Sequence, residues 1–326
     1  MNNISKLNFN SNDYFKLILK RCGNKNKDKI IYYIDEDGEN LGFFAMYRAW
    51  LEYLYFADVC GYTPVIRAGK NFPYWENMLV HGTGNPFEYY FDQPAAIQIQ
   101  EAKKSNKVIT SDLVHRQMVE LVLTGKYSHY KYTDRYMAEM AQIVKKYIRF
   151  NSHTMNYISK GMGLTDFEKE EILGIHVRGT DFRAMYDNHP VYVAEEEFFC
   201  EIDRIFDNNT YNKMFLATDD ERTLKRFAER YGGLIVFYRD VERSRSNQSV
   251  AFSKGKRRAH KYFLGLEVIR DMYALSLCKG LIAGISQVAI CAQIYKLARG
   301  ECYRDLSVID KGINVNHHSF IRHGGK

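Results

Sequence analysis

The stretch Glu171-Ile172-Leu173-Gly174-Ile175-His176-Val177-Arg178-Gly179-Thr180-Asp181 decides how the chain is read. Ile172, Leu173, Ile175 and Val177 form a short apolar run rich in β-branched residues, which predicts a buried strand. Arg178, Gly179, Thr180 and Asp181 follow where that strand ends. In open parallel sheets, ligands bind at the carboxyl ends of strands. An arginine there offers phosphate a planar fork of donors and never loses its charge. Gly179 lets backbone approach a ligand closely. A solvated, ion-paired turn would use the same residues, so the choice rests on what lies downstream.

Downstream, helical and strand patterns alternate. A helix is predicted over 194–206, then a strand over 213–217 that ends in Thr218, Asp219 and Asp220. Thr218 or Asp219 is the expected cap of a helix over 221–230, which Gly232 and Gly233 stop. Next come a strand over 234–238 and a basic loop carrying Arg239, Arg243, Arg245, Lys254, Lys256, Arg257 and Arg258. A helix over 262–278, a strand over 280–284 and a helix over 287–297 complete the series. Short connections between alternating elements are the signature of an α/β doubly wound parallel sheet. Arg178 with Asp181, Asp219 with Asp220, and Ser286 with Gln287 then share one rim. Ser286 and the free amides of its helix suit phosphate oxygens, although an ordinary N-cap explains it equally. For Asp219 and Asp220 the structural alternative is capping and dipole complement. Asp271 lies in a helix among Met272, Ala274 and Leu275, and its alternative is a solvated helix face. Together the set suits a nucleoside diphosphate.

Upstream, a strand over 30–34, the loop 35–42, a helix over 43–60 and a strand over 63–67 form a right-handed crossover unit. Phe44, Tyr47, Leu51, Leu54, Tyr55 and Val59 give the helix its period, and Gly61 its stop. The loop lacks a GxGxxG pattern, so a plain connection is the simpler reading. Residues 70–95 break periodicity, which fits a substrate-shaping loop or an aromatic loop packed on its own domain. Their Tyr74, Trp75, Phe87, Tyr89 and Tyr90 either stack on sugar faces or fill a core. A strand over 107–110 and helices over 112–123 and 133–148 follow. Residues 149–170, with Gly161 and Gly163, carry the expected boundary between domains 1–165 and 166–326. The final residues are free to pack back on the first domain.

Composition fits this plan. A chain of 326 residues suggests two domains, and 25 Tyr and 20 Phe against 5 Pro argue against long disordered tracts. The net charge of +7 suits an anionic ligand: a nucleotide, a glycan phosphate or a membrane surface. Nucleic acid is disfavoured, because the basic loop lacks aromatics at stacking spacing. The six cysteines show no C-x-x-C pair, and Cys60, Cys278 and Cys291 fall in apolar helical patterns, which predicts a reducing compartment. The amino terminus is polar without an apolar signal core, and no run approaches the ~20 apolar residues that span a bilayer. The expectation is a cytoplasmic protein, at most associated with the inner face of a membrane. No H-x-x-H, paired-Cys or D-x-D cluster predicts a metal site.

Three stretches, GIHVRGTD, FLATDDERTL and GLEVIRDMYALSLCKGLIAGISQVAICAQIY, resemble in order and spacing the three motifs of the fucosyltransferase superfamily. The likeness is greatest to the α1,6-fucosyltransferase and rhizobial nodulation fucosyltransferase group, including His189-Pro190 and the SQV of Ser286 to Val288. It covers roughly residues 170–297, and the amino-terminal half matches more loosely. The resemblance implies a GT-B glycosyltransferase with two Rossmann-like domains and the donor site in the C-terminal one. It implies an inverting, metal-independent transfer of fucose from GDP-fucose, with no cofactor beyond that donor substrate, to a glycan acceptor such as a bacterial or viral surface polysaccharide. Arg178 matches the arginine that grips the donor pyrophosphate, and His176 the histidine that orients the donor. Asp181 matches the aspartate of the first motif. Asp219 and Asp220 match the second motif, near the guanosine. Asp271, Ser286 and Gln287 match the third, around base, ribose and phosphates. The sequence departs from the α1,6 pattern at Gly179, where a second arginine stands, and at Phe182 and Tyr186, where a basic residue and a glutamate are usual. Asp181, Asp187, Glu39 and Glu88 are the candidates to accept the acceptor's proton. Another nucleotide sugar on the same fold, or an inactive binding module, are the alternatives.

Overall fold

A computed structural model of the protein describes residues 17–125, 130, 132–161, 166–206 and 211–315. The polar amino terminus, Gly163 with the boundary expected at 165/166, and the final residues expected to pack back lie outside the described residues. The chain divides into two compact units, Met1–Thr154 and Met155–Lys326.

The first unit contains strands β1 (Leu19–Lys20), β2 (Ile31–Glu36), β3 (Thr63–Ala68) and β4 (Val108–Thr110). Its helices are α1 (Phe43–Cys60), α2 (Pro86–Tyr90), α3 (Ile99–Ala102), α4 (Leu113–Thr124) and α5 (Asp134–Tyr147), and α6 (Ser152–Gly161) leads onward. The sheet order is β1-β4-β2-β3. β2 runs parallel to β3, with Ile31 opposite Thr63, and parallel to β4, while β1 adds an antiparallel edge that the sequence reading lacks. α1 ends where Gly61 takes φ 69° and returns its amide to the Ala57 and Asp58 carbonyls. Only a residue that tolerates the left-handed region closes the helix this way.

Most of the aromatics of residues 70–95 pack into the core of their own unit. Phe72, Tyr74, Phe87, Tyr89, Tyr90 and Phe91 are buried. Phe43 meets Tyr74 at 5.2 Å and Tyr90 at 5.0 Å, and Trp50 meets Phe87 at 5.1 Å, all edge to face. Such pairs add ~0.5–1.5 kcal/mol each beyond their area. Of the five aromatics considered for sugar stacking, only Trp75 stays half-exposed. The polar residues of the segment complete β3. Gln93 both accepts from Ile66 N (2.9 Å) and donates to Ile66 O (2.7 Å). Asn85 accepts from Ala68 N (2.9 Å). Two side-chain amides thus satisfy backbone groups that would otherwise stay unpaired.

The second unit is built on β5 (Ile172–Val177), β6 (Lys213–Thr218), β7 (Ile235–Val236), β8 (Gly280–Gly284) and β9 (Asp305–Ile309). Its helices are α7 (Glu195–Phe206), α8 (Glu221–Tyr231), α9 (His260–Leu277) and α10 (Gln287–Ala298). The sheet order is β7-β6-β5-β8-β9, and every pairing is parallel. β5 lies in the middle with all six residues buried, as its apolar run predicts. Leu173, Ile175 and Val177 pack with Met214, Leu216 and Ile282 against Phe198, Phe199, Ile202 and Phe227 of α7 and α8. β7 is shorter than the 234–238 of the sequence reading, and β9 is a fifth strand that reading lacks. Cys278 and Cys291 are buried, Cys60 is half-buried, and none of the six cysteines is in a disulfide. No described helix is long and apolar enough to cross a membrane.

Candidate functional site

Because β5, β6 and β8 are adjacent and parallel, their carboxyl ends share one rim. Arg178 leaves β5 there and is held by three groups. It pairs with Asp219, with Asp181 at 2.7 Å, and reaches Ser249 Oγ at 3.2 Å. Its guanidinium also lies over the Phe182 ring, 5.8 Å from the centroid.

Asp219 organises the whole turn. Besides Arg178, it accepts from Gly179 N (2.9 Å) and Thr180 Oγ1 (2.6 Å). Asp181 accepts from Thr180 Oγ1 at 3.1 Å as well as from Arg178. Asp181 in this arrangement holds Arg178 in place.

Asp220, not Thr218 or Asp219, is the N-cap of α8. It accepts from Arg222 N at 2.9 Å. It is wholly buried and also receives Arg183 (3.0 Å) and Arg222 (2.7 Å). Burial pushes its carboxyl up, but the Arg222 and Arg183 contacts outweigh this and hold it below the usual range. Both oxygens of Asp220 are engaged inside the protein. A Cβ at residue 179 would stand 2.8 Å from Asp220 Oδ2, so Gly179 is required by this close approach. The arginine usual at that position in α1,6 enzymes has no room here.

Sequence reasoning missed Arg183. It joins Asp220 to the buried Glu195, stacks 4.3 Å from the Tyr192 ring, and pins the turn to α7 and α8. Thr223 Oγ1 donates to the same Glu195 at 2.7 Å. Its spacing, five residues after Arg178, was the only signal available.

His176 is 5% exposed, next to Ala217 and Ala283 in the neighbouring strands. Neither ring nitrogen makes a hydrogen bond of standard geometry, although the Ala217 backbone lies alongside. Burial, reinforced by Arg178, pushes its pKa down to about 3, so the ring is neutral near pH 7. Ser286 caps α10, accepting from Ala289 N at 3.1 Å, and half-buried Gln287 opens the helix beside it.

Asp271 on α9 is buried, not solvated. Its Oδ1 has no hydrogen-bond partner among the described residues. Burial raises its pKa to about 7, against the nearby positive charges of Arg243 and Arg270. Arg270 itself is taken by Asp240 (2.5 Å) and sits between Tyr238 and Tyr157, 4.0 and 4.6 Å from their rings. Arg243 of the basic loop donates to Tyr238 O at 2.9 Å, and its burial lowers its pKa. Among the described residues, no group of three or more His, Cys, Asp or Glu is placed to hold a metal ion.

A parallel sheet whose rim gathers a fixed arginine and a capped helix start is an α/β arrangement suited to an anionic ligand. Residues 131–306, more than half of the chain, match the family model described as alpha-(1,6)-fucosyltransferase N- and catalytic domains, and the chain belongs to that family. It is an enzyme, a glycosyltransferase of the fucosyltransferase superfamily. Its fold is similar to that of NodZ alpha-1,6-fucosyltransferase soaked with GDP-fucose (TM-score 0.50, 16% identity, 82% of this chain and 93% of that one). It is similar also to selenomethionine fucosyltransferase NodZ from Bradyrhizobium (TM-score 0.51, 15% identity, 88% and 97% of the two chains). At these identities the likeness is one of fold: mixed α/β with parallel sheets. Among curated proteins, no sequence matches it.

Proposed function

We propose that this enzyme moves fucose from GDP-fucose to a hydroxyl of a glycan acceptor by one inverting displacement without a metal. We place it on a GT-B scaffold of two Rossmann-like domains. The unit Met155–Lys326 holds the donor, and Met1–Thr154 serves the acceptor. The observation that carries the reading is Arg178, fixed at the carboxyl rim of a parallel sheet in a chain of the fucosyltransferase family. The NodZ enzyme of similar fold has been crystallised with GDP-fucose and with GDP, and we carry that donor over.

In an inverting transfer the acceptor oxygen attacks the anomeric carbon as the bond to GDP breaks. Negative charge grows on the departing diphosphate, and fixed donors must meet it. Arg178 and the free amides at the start of α10 beside Ser286 and Gln287 are assigned that work. Asp271 is assigned to the N–H edge of the guanine, where its open oxygen gains the partner it lacks. Neutral His176 and Asp219 orient the donor and its arginine, and Asp181 and Asp220 position the turn. Of the four candidate proton acceptors, Asp181 is tied to Arg178, and Glu88 accepts from Thr83 (2.5 Å) and Gln93 (2.8 Å).

Arg178→Ala should cut turnover at least a hundredfold with the fold retained, a loss of ~2.7 kcal/mol of transition-state stabilisation. Near-normal turnover would overturn its assignment. A thermal-shift panel of GDP, UDP, GDP-fucose and GDP-mannose, with and without EDTA, tests the donor. A shift with GDP and GDP-fucose that ignores EDTA is expected. A shift with UDP alone would discard the fucose assignment, and one abolished by EDTA would discard the metal-free route.

A further inference from the structure

Residues 243–266 contain no Asp or Glu, yet they carry Arg243, Arg245, Lys254, Lys256, Arg257, Arg258 and Lys261. Three of these cations are spent within the unit. Arg243 donates to the Tyr238 carbonyl, Arg245 pairs with Glu221 (2.6 Å), and Arg257 pairs with Glu267. Lys254, Lys256, Arg258 and Lys261 are exposed and have no ion-pair partner among the described residues.

Their location follows from topology. The loop leaves the carboxyl end of β7, and α9 returns to the amino end of the parallel strand β8, so α9 starts at the rim that carries Arg178. Contacts tie the loop to that rim: Ser244 N donates to Asp219 O (2.8 Å), Glu221 N to Ser244 O (3.0 Å), and Arg178 to Ser249 Oγ (3.2 Å).

The amino end of α9 is also open. Ala259 occupies the N-cap, no side chain caps it, and no acid stands in the first turn. The first amides of an 18-residue helix there lack a side-chain acceptor. The adjoining His260 is 8% exposed. Its Nε2 bonds Ser253 Oγ (3.0 Å), while Nδ1 has no partner and lies against the Gly255 backbone, inside the turn of cations.

We propose that the turn Lys254–Arg258 and the amino end of α9 form a subsite for a phosphate or carboxylate group of the acceptor glycan. The inference rests on the donor reading above and adds the acceptor's chemical class. A membrane surface is a poorer fit, since the turn is Lys-Gly-Lys-Arg-Arg with no apolar side chain to insert. Nucleic acid is poorer too, because no exposed aromatic interleaves the cations.

The test uses the full chain saturated with GDP and fluorescence polarisation of labelled probes at 50 and 300 mM NaCl. The probes are an oligogalacturonate, a glycerol-phosphate oligomer, a neutral malto-oligosaccharide, a ten-nucleotide RNA and phosphatidylglycerol vesicles. At least one of the first two should bind, weakening at high salt, while the neutral sugar does not. K254Q/K256Q/R258Q should weaken that binding at least tenfold and leave the GDP thermal shift intact, with the single K254Q falling between. Which of the two probes binds separates carboxylate from phosphate. Failure of both, unchanged binding by the triple variant, or tighter binding of RNA or vesicles overturns the subsite. Loss of the GDP shift in the triple variant would reassign the cations to the donor and overturn it too. Absence of a GDP shift in the native chain sinks the donor reading instead, and the polarisation data then judge the anion subsite alone.

Discussion

Two helices of equal length lie in the two units and handle buried charge in opposite ways. α1 and α9 each have 18 residues, of which 14 are buried. In α1 the charges close on themselves. Arg48 reaches Glu52 (3.7 Å), Glu120 (3.6 Å) and the Tyr132 hydroxyl, while Glu52 takes Arg116 (3.1 Å) and Tyr136 (2.7 Å). In α9, Glu267 and Arg270 find partners in the 238–258 loop, but Asp271 is left with an unbonded oxygen and a pKa raised to about 7 by burial. Removing a charge from water without a partner costs several kcal/mol, and folds rarely retain such a group. A closed network accounts for itself as structure. An open buried carboxylate is what a ligand with N–H donors would complete.

The largest effect expected from this contrast is in α1. Arg48→Met leaves Glu120 buried without its cation and Glu52 with Arg116 alone, and should cost ~3–5 kcal/mol in urea unfolding, while the GDP thermal shift of the folded protein persists. Loss of the shift in a still-folded variant would erase the distinction between the two helices. In α9 the sign reverses. Asp271 holds a proton in the native state that the unfolded chain releases above about pH 4. The native state therefore binds more protons, and stability is lost as pH rises from there to about 7. Asp271→Asn removes the titration. Relative to the native chain it should gain roughly 2–3 kcal/mol more at pH 8 than at pH 5, and it should weaken the GDP shift. Destabilisation at pH 8 would mean that Asp271 is compensated as fully as Glu52.

What the sequence made legible was what is local. The apolar run of β5, the period of α1, the stop at Gly61 and the cap at Ser286 each need only a few neighbours to be read. The carboxyl rim followed, because parallel strands joined by helices leave no other arrangement. Less legible was anything decided by one residue or by distance. Asp219 and Asp220 are chemically identical, yet β6 ends one residue later than expected, so the second caps α8 and the first faces Arg178. β9 alternates half-buried and exposed positions within five residues, too short a pattern to separate from a loop. The aromatics of 70–95 pack on α1, and nothing in their own order says so.

The buried histidines offer the finest form of the same comparison. His115 in the first unit is stacked on Phe56 at 4.4 Å and bonded through Nδ1 to the Tyr32 hydroxyl at 2.8 Å. His176 in the second has no standard hydrogen bond at either nitrogen. Burial lowers both, to about 4 and about 3. Each native ring refuses a proton that the unfolded chain accepts below pH ~6.5, so each contributes stability that is present above that pH and lost as pH falls toward the native value. At pH 7, His115→Leu strands the Tyr32 hydroxyl and should cost ~1–3 kcal/mol. His176→Leu strands nothing and should stay within ~1 kcal/mol of the native chain. It should also spare roughly 1–2 kcal/mol of the stability otherwise lost between pH 7 and pH 5. Its cost should appear in the GDP thermal shift instead. If His176→Leu were as damaging to stability as His115→Leu and left the GDP shift untouched, His176 would be an ordinary core residue.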